Sequence, residues 1–498
     1  MVLAQPLVNI NSLFKSVVKI MFNFVKTKME QILAINKPSL TDEEFIMNEI
    51  RKFEMSDKRQ MMIDGKRYFA GDHDILNRKR TMIGKDGKVE EVKNLPNNRI
   101  VDNQYRRCVV QKKNYLVGKP VTIDGENKEY VDILKTYIDR RFMRMLNAVT
   151  EDALNCGIGY MFPCYNEQGE FTFKRFNSEE IRVGWKDADH TEIDYFIRFY
   201  DVLVYIGHDE KIIKKVEVYD ETGITFFEMD GEVLKPVEPY HQTYFTADET
   251  GYNWTKIPLI PWKYNNEEIA LIKMVKSLQD GINIITSNFQ NNMEEDIHNT
   301  IMVLVNYDGQ DLGDFRHNLA TYGAVKVRTV DGAGGDVKTL EVEVNAENYE
   351  SILKLFKDKL IENAMCYDAR DERMSGTPNQ MNIQSMYSDI DLDANGMETE
   401  FQASFEEVLW FINCHLANTG HGDFEGEHVE IVFNRDMLMN ESETIQNLQN
   451  SVGLLSDETI IAQHPWVNDV ESELDKLKKQ KQEQMMEYNP FNQGGVSE

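Results

Sequence analysis

Two adjacent carboxylates, Asp371 and Glu372, lie between Arg370 and Arg373 in the polar stretch YDARDERMSGTPNQM. Their types could carry acid–base chemistry or hold a cation. Neighbours in a loop seldom converge on one reacting atom, because working pairs come from separate elements that fix their spacing; these side chains are expected to be solvated. Asp308-Gly309-Gln310-Asp311 resembles a fragment of a calcium loop, but its glycine falls too early and the closing Glu is missing. The Gly-Lys pairs at Gly65, Gly84, Gly87 and Gly118 lack the upstream glycine and following hydroxyl of a phosphate loop. Neither H-E-x-x-H nor G-x-S-x-G occurs. The ten histidines show no ligand spacing, and His298 and His317 read as surface or hairpin residues and not as metal ligands. Cys108, Cys156, Cys164, Cys366 and Cys414 form no C-x-x-C pair, which indicates neither a zinc site nor a disulfide framework and fits a reducing compartment. No enzyme, metal site or cofactor is expected.

The chain has 498 residues, 41% hydrophobic and 28% charged, which suits a soluble globular protein of two to four domains. Its formal net charge is −29, whereas a protein that grips nucleic acid neutralises phosphates with Lys and Arg. DNA meeting such a surface would slide past instead of being held, and solubility alone would also explain the charge. The apolar run LVNINSLFKSVVKIMFNFVKTKMEQILAI is interrupted by Lys15, Lys19, Lys26 and Lys28, so it is too broken to span a membrane. It reads as an amphipathic helix that packs on its own protein or a neighbour, with a membrane surface as the alternative partner.

Further along, Thr41 and Glu44 have capping-box spacing for a first helix, and a second follows it. A helical run from Val101 stops at Gly118 and Pro120, and another is expected over Val131–Asn155, broken by Gly157 and Gly159. From Tyr160 to Pro258 the period changes to two, in FTFKRF, DYFIRFYDVLVYI, IIKKVEVY and ITFFEM, which predicts an antiparallel meander. Two long helical patterns follow. Val275, Leu278, Ile282, Ile285 and Phe289 make one stripe; Tyr349, Ile352, Leu353, Phe356, Leu360 and Ala364 make the other. Between them the spacing predicts strands at Ile301–Val305, Ala324–Val330 and Val337–Val342 and a short helix near Leu312–Leu319. A third long helix is predicted from about Asn379 to Asn418, then the strand HVEIVFN and helices from Asn440. The tail NPFNQGGVSE is expected to be disordered.

Four stretches in this order resemble the tailed-bacteriophage portal proteins of the SPP type. They are YFAGDHDIL with NNRIVDNQYRRCVVQKKNYLVGKPV; IPLIPWKYNNEE leading into VKSLQDGINIITSNFQNNMEE; NAENYESILKLFKDKLIENAM; and NIQSMYSDIDLDANGMETEFQASFEEVL with the later SDETIIAQHPWV. Together they span about Phe69 to Leu477. Where the family usually has a small-residue pair at the start of the third helix, this chain has Asn382-Ile383-Gln384-Ser385.

The resemblance implies an α+β, mostly helical portal fold. After an N-terminal arm (1–40) it would have a wing (41–264), stem helices (265–299 and 346–366) around a clip (300–345), and a tunnel loop (367–381). A long helix with a return strand (382–435), a crown (436–485) and a tail (486–498) would follow. It further implies a homo-dodecameric ring at one capsid vertex, in the virion and in the host cytoplasm during assembly. Double-stranded DNA would pass without sequence specificity; the alternatives are a nucleic-acid enzyme with metal on Asp371 and Glu372, or a coiled-coil structural virion protein without a channel. The other partners would be the terminase large subunit, a head-completion or adaptor protein, and the major capsid and scaffolding proteins; no membrane partner is expected. Asp368, Arg370, Asp371, Glu372 and Arg373 would lie nearest DNA, or alternatively form salt bridges between subunits. The stripes Val275, Leu278, Ile282, Ile285, Phe289 and Ile352, Phe356, Leu360 would be buried between subunits. Asp311, Arg316, Arg328 and Asp331 would dock partners at the clip. On this reading, Asp at Ile282 or Phe356 would block ring assembly and leave a folded, soluble monomer.

Overall fold

The structure, a computed structural model, describes residues 42–83, 87–92, 95–206, 208–247, 249–296, 301–305, 336–340, 346–368, 380–435, 441–467 and 470–487. In chain order these form α1 (Glu43–Glu54), α2 (Asp57–Ala70), β1 (Thr81–Ile83), β2 (Val89–Glu91), α3 (Gln104–Val117), β3 (Thr122–Gly125), α4 (Lys128–Tyr137) and α5 (Arg140–Cys156). Ten strands follow: β4 (Ile158–Tyr165), β5 (Phe171–Phe176), β6 (Ile181–Trp185), β7 (Ile193–Ile206), β8 (Asp209–Asp220), β9 (Gly223–Asp230), β10 (Val233–Gln242), β11 (Phe245–Ala247), β12 (Thr250–Tyr252) and β13 (Ile260–Lys263). The remainder is α6 (Leu271–Asp296), β14 (Ile301–Val305), β15 (Asp336–Leu340), α7 (Ala346–Asn363), α8 (Gln380–Asn418), β16 (Val429–Val432), α9 (Glu441–Asn450), α10 (Asp457–Ala462) and α11 (Val470–Glu487). Helices with antiparallel sheets make the class α+β.

Contacts divide the chain into two compact units. One holds the described residues up to Gln60 with Phe162–Leu259; the other holds Met61–Met161 with the described residues from Ile260 onward. The division cuts across the block 41–264, because α3 and α5 fall in the unit that holds the long helices they pack with.

In the first unit, the period-two stretches form one antiparallel sheet in the order β10-β9-β8-β7-β6. Alternation sends Phe196 and Tyr219, opposite each other across β7 and β8, into the interior, where their rings stack at 4.1 Å. Phe162 and Phe176 stack at 4.9 Å in the same cluster. Helix α1 lies on the other face, with Phe53 edge-on to Phe199 at 6.1 Å. Its N-cap is Asp42, whose carboxylate accepts from the Glu44 amide at 3.0 Å; Thr41 lies outside the described residues. The acidic side chain one position later therefore caps this helix.

The second unit is built around α8, 39 residues and so ~58 Å long. Trp262 on β13 is fully buried between Phe401 and Phe405 of α8, with ring centroids 5.0 and 5.1 Å away. The Ser404 hydroxyl donates to the Pro261 carbonyl at 2.6 Å and fixes the strand against the helix. Strand β13 pairs antiparallel with Ile158–Met161, the first half of β4. Gly157 ends α5 at φ +84°, and a Cβ there would stand 2.1 Å from the Glu268 carbonyl oxygen, so only glycine fits.

Several expectations shift. The helix expected over Val131–Asn155 is two, because Asp139 caps a new start by accepting from the Arg141 and Phe142 amides. Helix α3 begins at Gln104, not Val101, with Asn103 as its cap. Helix α6 begins at Leu271, after a turn in which the Asn265 side chain bonds both the amide and the carbonyl of Ile269. Strands β14 and β15 stand where strands are expected, with β15 one residue early at its start and ending at Leu340, and they pair antiparallel with each other. The strand HVEIVFN is present as β16, paired with β3. The N-terminal arm, the helix near 312–319, the strand at 324–330 and the tail lie outside the described residues.

Candidate functional site

Two constructions in the second unit position the expected stem and loop. The first is a polar ladder on α6. Gln279, Asn283, Ser287 and Asn291 recur every fourth residue and are buried. Their oxygens accept from the backbone amides of Tyr105 (2.9 Å), Asp102 (3.0 Å), Ile100 (3.0 Å) and Asn98 (2.7 Å). For Asn98, Ile100 and Asp102 the match is geometric: two residues of extended chain advance ~6.6 Å, and four residues of helix advance ~6 Å. Segment 98–102 thus satisfies alternate amides on helix side chains where no strand is at hand, and Gln279 takes the Tyr105 amide in the first turn of α3.

His73 locks the middle of the ladder. The Asn283 amide donates to His73 Nδ1 at 2.8 Å, so the other nitrogen, Nε2, carries the proton and donates to the Tyr68 carbonyl at 3.0 Å. Burial lowers the His73 pKa below the ordinary imidazole value, against the opposing pull of the Tyr68 carbonyl and Asp280. The unfolded chain therefore takes up a proton that the folded chain refuses. Stability is expected to fall as pH drops through about 6.5. His415, also lowered by burial, adds in the same sense. Thermal melts from pH 7.5 to 5.5 should show the loss, with a shallower slope in His73→Phe; an unchanged slope would show that His73 does not carry it. Asn283→Ala strands the Asp102 amide and the imidazole, and about 2 kcal/mol of destabilisation is expected in urea unfolding.

The second construction is an anchor for the polar loop, made by one face of α3. At the loop's entry, α7 ends and Met365 turns with φ +50°. There the buried Lys112 donates to the Met365 carbonyl (3.3 Å), Gln111 to the Tyr367 carbonyl (3.2 Å), and Arg107 pairs with Asp368 at 2.8 Å. The Cys108 thiol meets Cys366; that bond, helped by Lys112 and Arg107, draws Cys108 down, and burial pushes Cys366 up. At the loop's exit, the same helix holds α8. Lys112 pairs with Asp393 at 2.6 Å, and the Tyr264 hydroxyl donates to that carboxylate at 2.8 Å. Tyr115 stacks on Tyr387 at 5.7 Å and donates to Asp391 at 3.0 Å; burial and that carboxylate push it up to about 12. Arg435 bonds Asp391, Asn395 and Glu398 from beyond β16.

Of the residues expected near DNA, Asp368 is thus an anchor point, and Arg370, Asp371, Glu372 and Arg373 lie outside the described residues. So do Asp311, Arg316, Arg328 and Asp331. The helix stripes are not unpartnered. Val275, Ile282 and Leu360 are fully buried inside the chain, and Leu278, Ile285, Phe289 and Phe356 are half-buried. Phe289 packs on Tyr349 at 5.1 Å. Phe356 sits over Gly281, where a Cβ would lie 2.6 Å from its ring. Ile352 is 46% exposed, as are Met274, Ile284, Met293 and Leu355 to similar degrees. The two helices close on each other, so the expectation that Asp at Ile282 leaves a folded monomer fails. The ladder residues were missed, although polar side chains every four residues within an apolar helix are visible in the sequence.

Among the described residues, no group of three or more His, Cys, Asp and Glu could hold a metal ion, and no helix is long and apolar enough to cross a membrane. What the helices, sheets and anchored loop define is an α+β scaffold, with its buried polar groups spent on holding elements in place. Residues 53–487 match the phage portal protein family, SPP1 Gp6-like. The chain is 31% identical over 428 residues to the portal protein of Bacillus phage SPP1, covering 84% of this chain and 83% of that one. It is 25% identical over 452 residues to the portal protein of Clostridium phage phiCD119 (88% and 97% covered). The neck of a native GTA particle, computed with C12 symmetry, is similar at a TM-score of 0.37 and 12% identity over 72% of this chain and 88% of that one, too slight a likeness to carry weight. The chain belongs to the SPP1 Gp6-like phage portal family, whose members are structural proteins of the head–tail connector.

Proposed function

We propose that this chain assembles into a twelve-membered ring at one capsid vertex and passes double-stranded DNA through a central channel during packaging and ejection. The observation that carries the reading is the family match over 53–487, with 31% identity to the SPP1 portal protein. On this reading the loop between Asp368 and Gln380 faces the channel, and α3 holds its entry and, two to four turns in, the helix that follows it. Residues 300–345 meet the terminase and the head-completion protein. The exposed Ile284, Met293, Ile352 and Leu355 on α6 and α7 meet neighbouring subunits. A head-to-tail contact that closes on itself is how one chain makes such a ring.

Negative-stain images of the purified protein should show rings with a central hole; solid particles, or a dimer mass in light scattering, would overturn the proposal. The loop's role has its own test. Arg107 and Asp368 are each about one-third exposed, so their pair is worth at most ~1 kcal/mol. Arg107→Ala should leave melting and ring formation unchanged and still lower DNA packaged per head. Normal packaging would remove the loop anchor from the mechanism.

A further inference from the structure

The first unit carries an apolar face that its own helix leaves half covered. Strand β9 pairs with β8 only from Lys214 onward, so 202–206 and 209–213 project beyond the sheet as a two-stranded ribbon. Phe199, Asp201, Leu203 and Tyr205 alternate onto one face of β7. That is the face α1 packs on: Phe53 meets Phe199, and Glu54 at the end of α1 pairs with Lys214, opposite Asp201, at 3.0 Å. Past Glu54 the same face continues bare. Leu203 and its cross-strand partner Ile212 are 49% and 66% exposed, and Tyr205 is 64% exposed. A bare two-stranded ribbon is marginal in water, which makes a cover valuable here.

We propose that the cover is the amphipathic segment Phe14–Ile32 of the same chain. Phe14, Val18, Met21, Val25, Met29 and Ile32 fall at helical spacings of 4, 3, 4, 4 and 3 and make one apolar stripe. Lys15, Lys19 and Lys26 lie along one side of it. Residues 1–41 contain five lysines and one glutamate in a chain of net charge −29, and Asp201 and Glu210 border the bare patch. Opposite charge thus rims matching apolar faces. The reach also closes. Residues 33–41 span up to ~30 Å extended, more than the ~18 Å length of the 12-residue α1 that separates Asp42 from the patch.

Hydrogen exchange on the full chain tests this. Amides of 14–32 should be protected, and Leu203→Asp with Ile212→Asp should speed their exchange at least tenfold. Both substitutions are at exposed positions, so β8 amides 216–219 should stay protected as a check on folding. Reciprocally, Phe14→Asp with Val25→Asp should speed exchange at 202–205 and 210–213. An unprotected segment in the native chain, or protection indifferent to the ribbon substitutions, would overturn the proposal. So would protection that vanishes on dilution, which assigns the patch to a second copy. Protection seen only with phosphatidylglycerol vesicles would assign the segment to a membrane surface and overturn it equally.

Discussion

Substituting Asp for Ile282 is expected to unfold the helical unit instead of releasing a soluble monomer. Ile282 is fully buried on α6, on the helix face adjoining the polar ladder. Its side chain would be replaced by a carboxylate with no partner, in a place where water cannot reach it. Such substitutions belong to the few that cost more than about 4–5 kcal/mol, a large share of the 5–15 kcal/mol that holds a typical domain folded. Loss of soluble yield, or of the cooperative transition in a thermal melt, is the expected readout. Ile352→Asp is the contrast, since Ile352 is 46% exposed on α7. That variant should fold normally and lose only assembly. A folded Ile282→Asp with a native melt would show that α6 does not sit as described.

Lys112→Ala should have the next largest effect. Lys112 is 3% exposed, and its ammonium touches the Asp393 carboxylate and the Met365 carbonyl at once. Removing it leaves a largely buried carboxylate uncompensated, and breaking such a pair from one side costs about 3–5 kcal/mol. Urea unfolding of the single variant should show that loss. Lys112→Met combined with Asp393→Asn should recover at least half of it, because the second change removes the stranded charge while an acceptor for the Tyr264 hydroxyl remains. If the double variant is as unstable as the single, the loss comes from packing and not from the ion pair. The anchor matters for function on the proposed reading: one ammonium ties the last turn before the loop to the helix after it.

What was readable in the sequence by itself was whatever depends on local periodicity and local caps. Alternation in 194–229 marked the meander, Gly118 marked the end of α3, and the spacing over 379–418 marked α8 to within a residue. These follow from backbone geometry within a few residues. The order of four stretches was also enough to reach the family, because order along the chain needs no knowledge of contacts. What the tertiary structure alone decided was which faces meet. The stripes of α6 and α7 had the same period whether they faced a neighbouring subunit or each other, and only the structure puts Phe356 over Gly281 while leaving Ile352 exposed. Segment 98–102 has no periodicity of its own, since its amides are satisfied far along the chain, that of Asp102 181 residues away at Asn283. Lys112 looks in sequence like any solvated lysine of a charged helix. Only the approach of Asp393, 281 residues on, makes it the centre of an anchor. Periodicity is a property of one element and burial is a property of two; the second partner is not written next to the first.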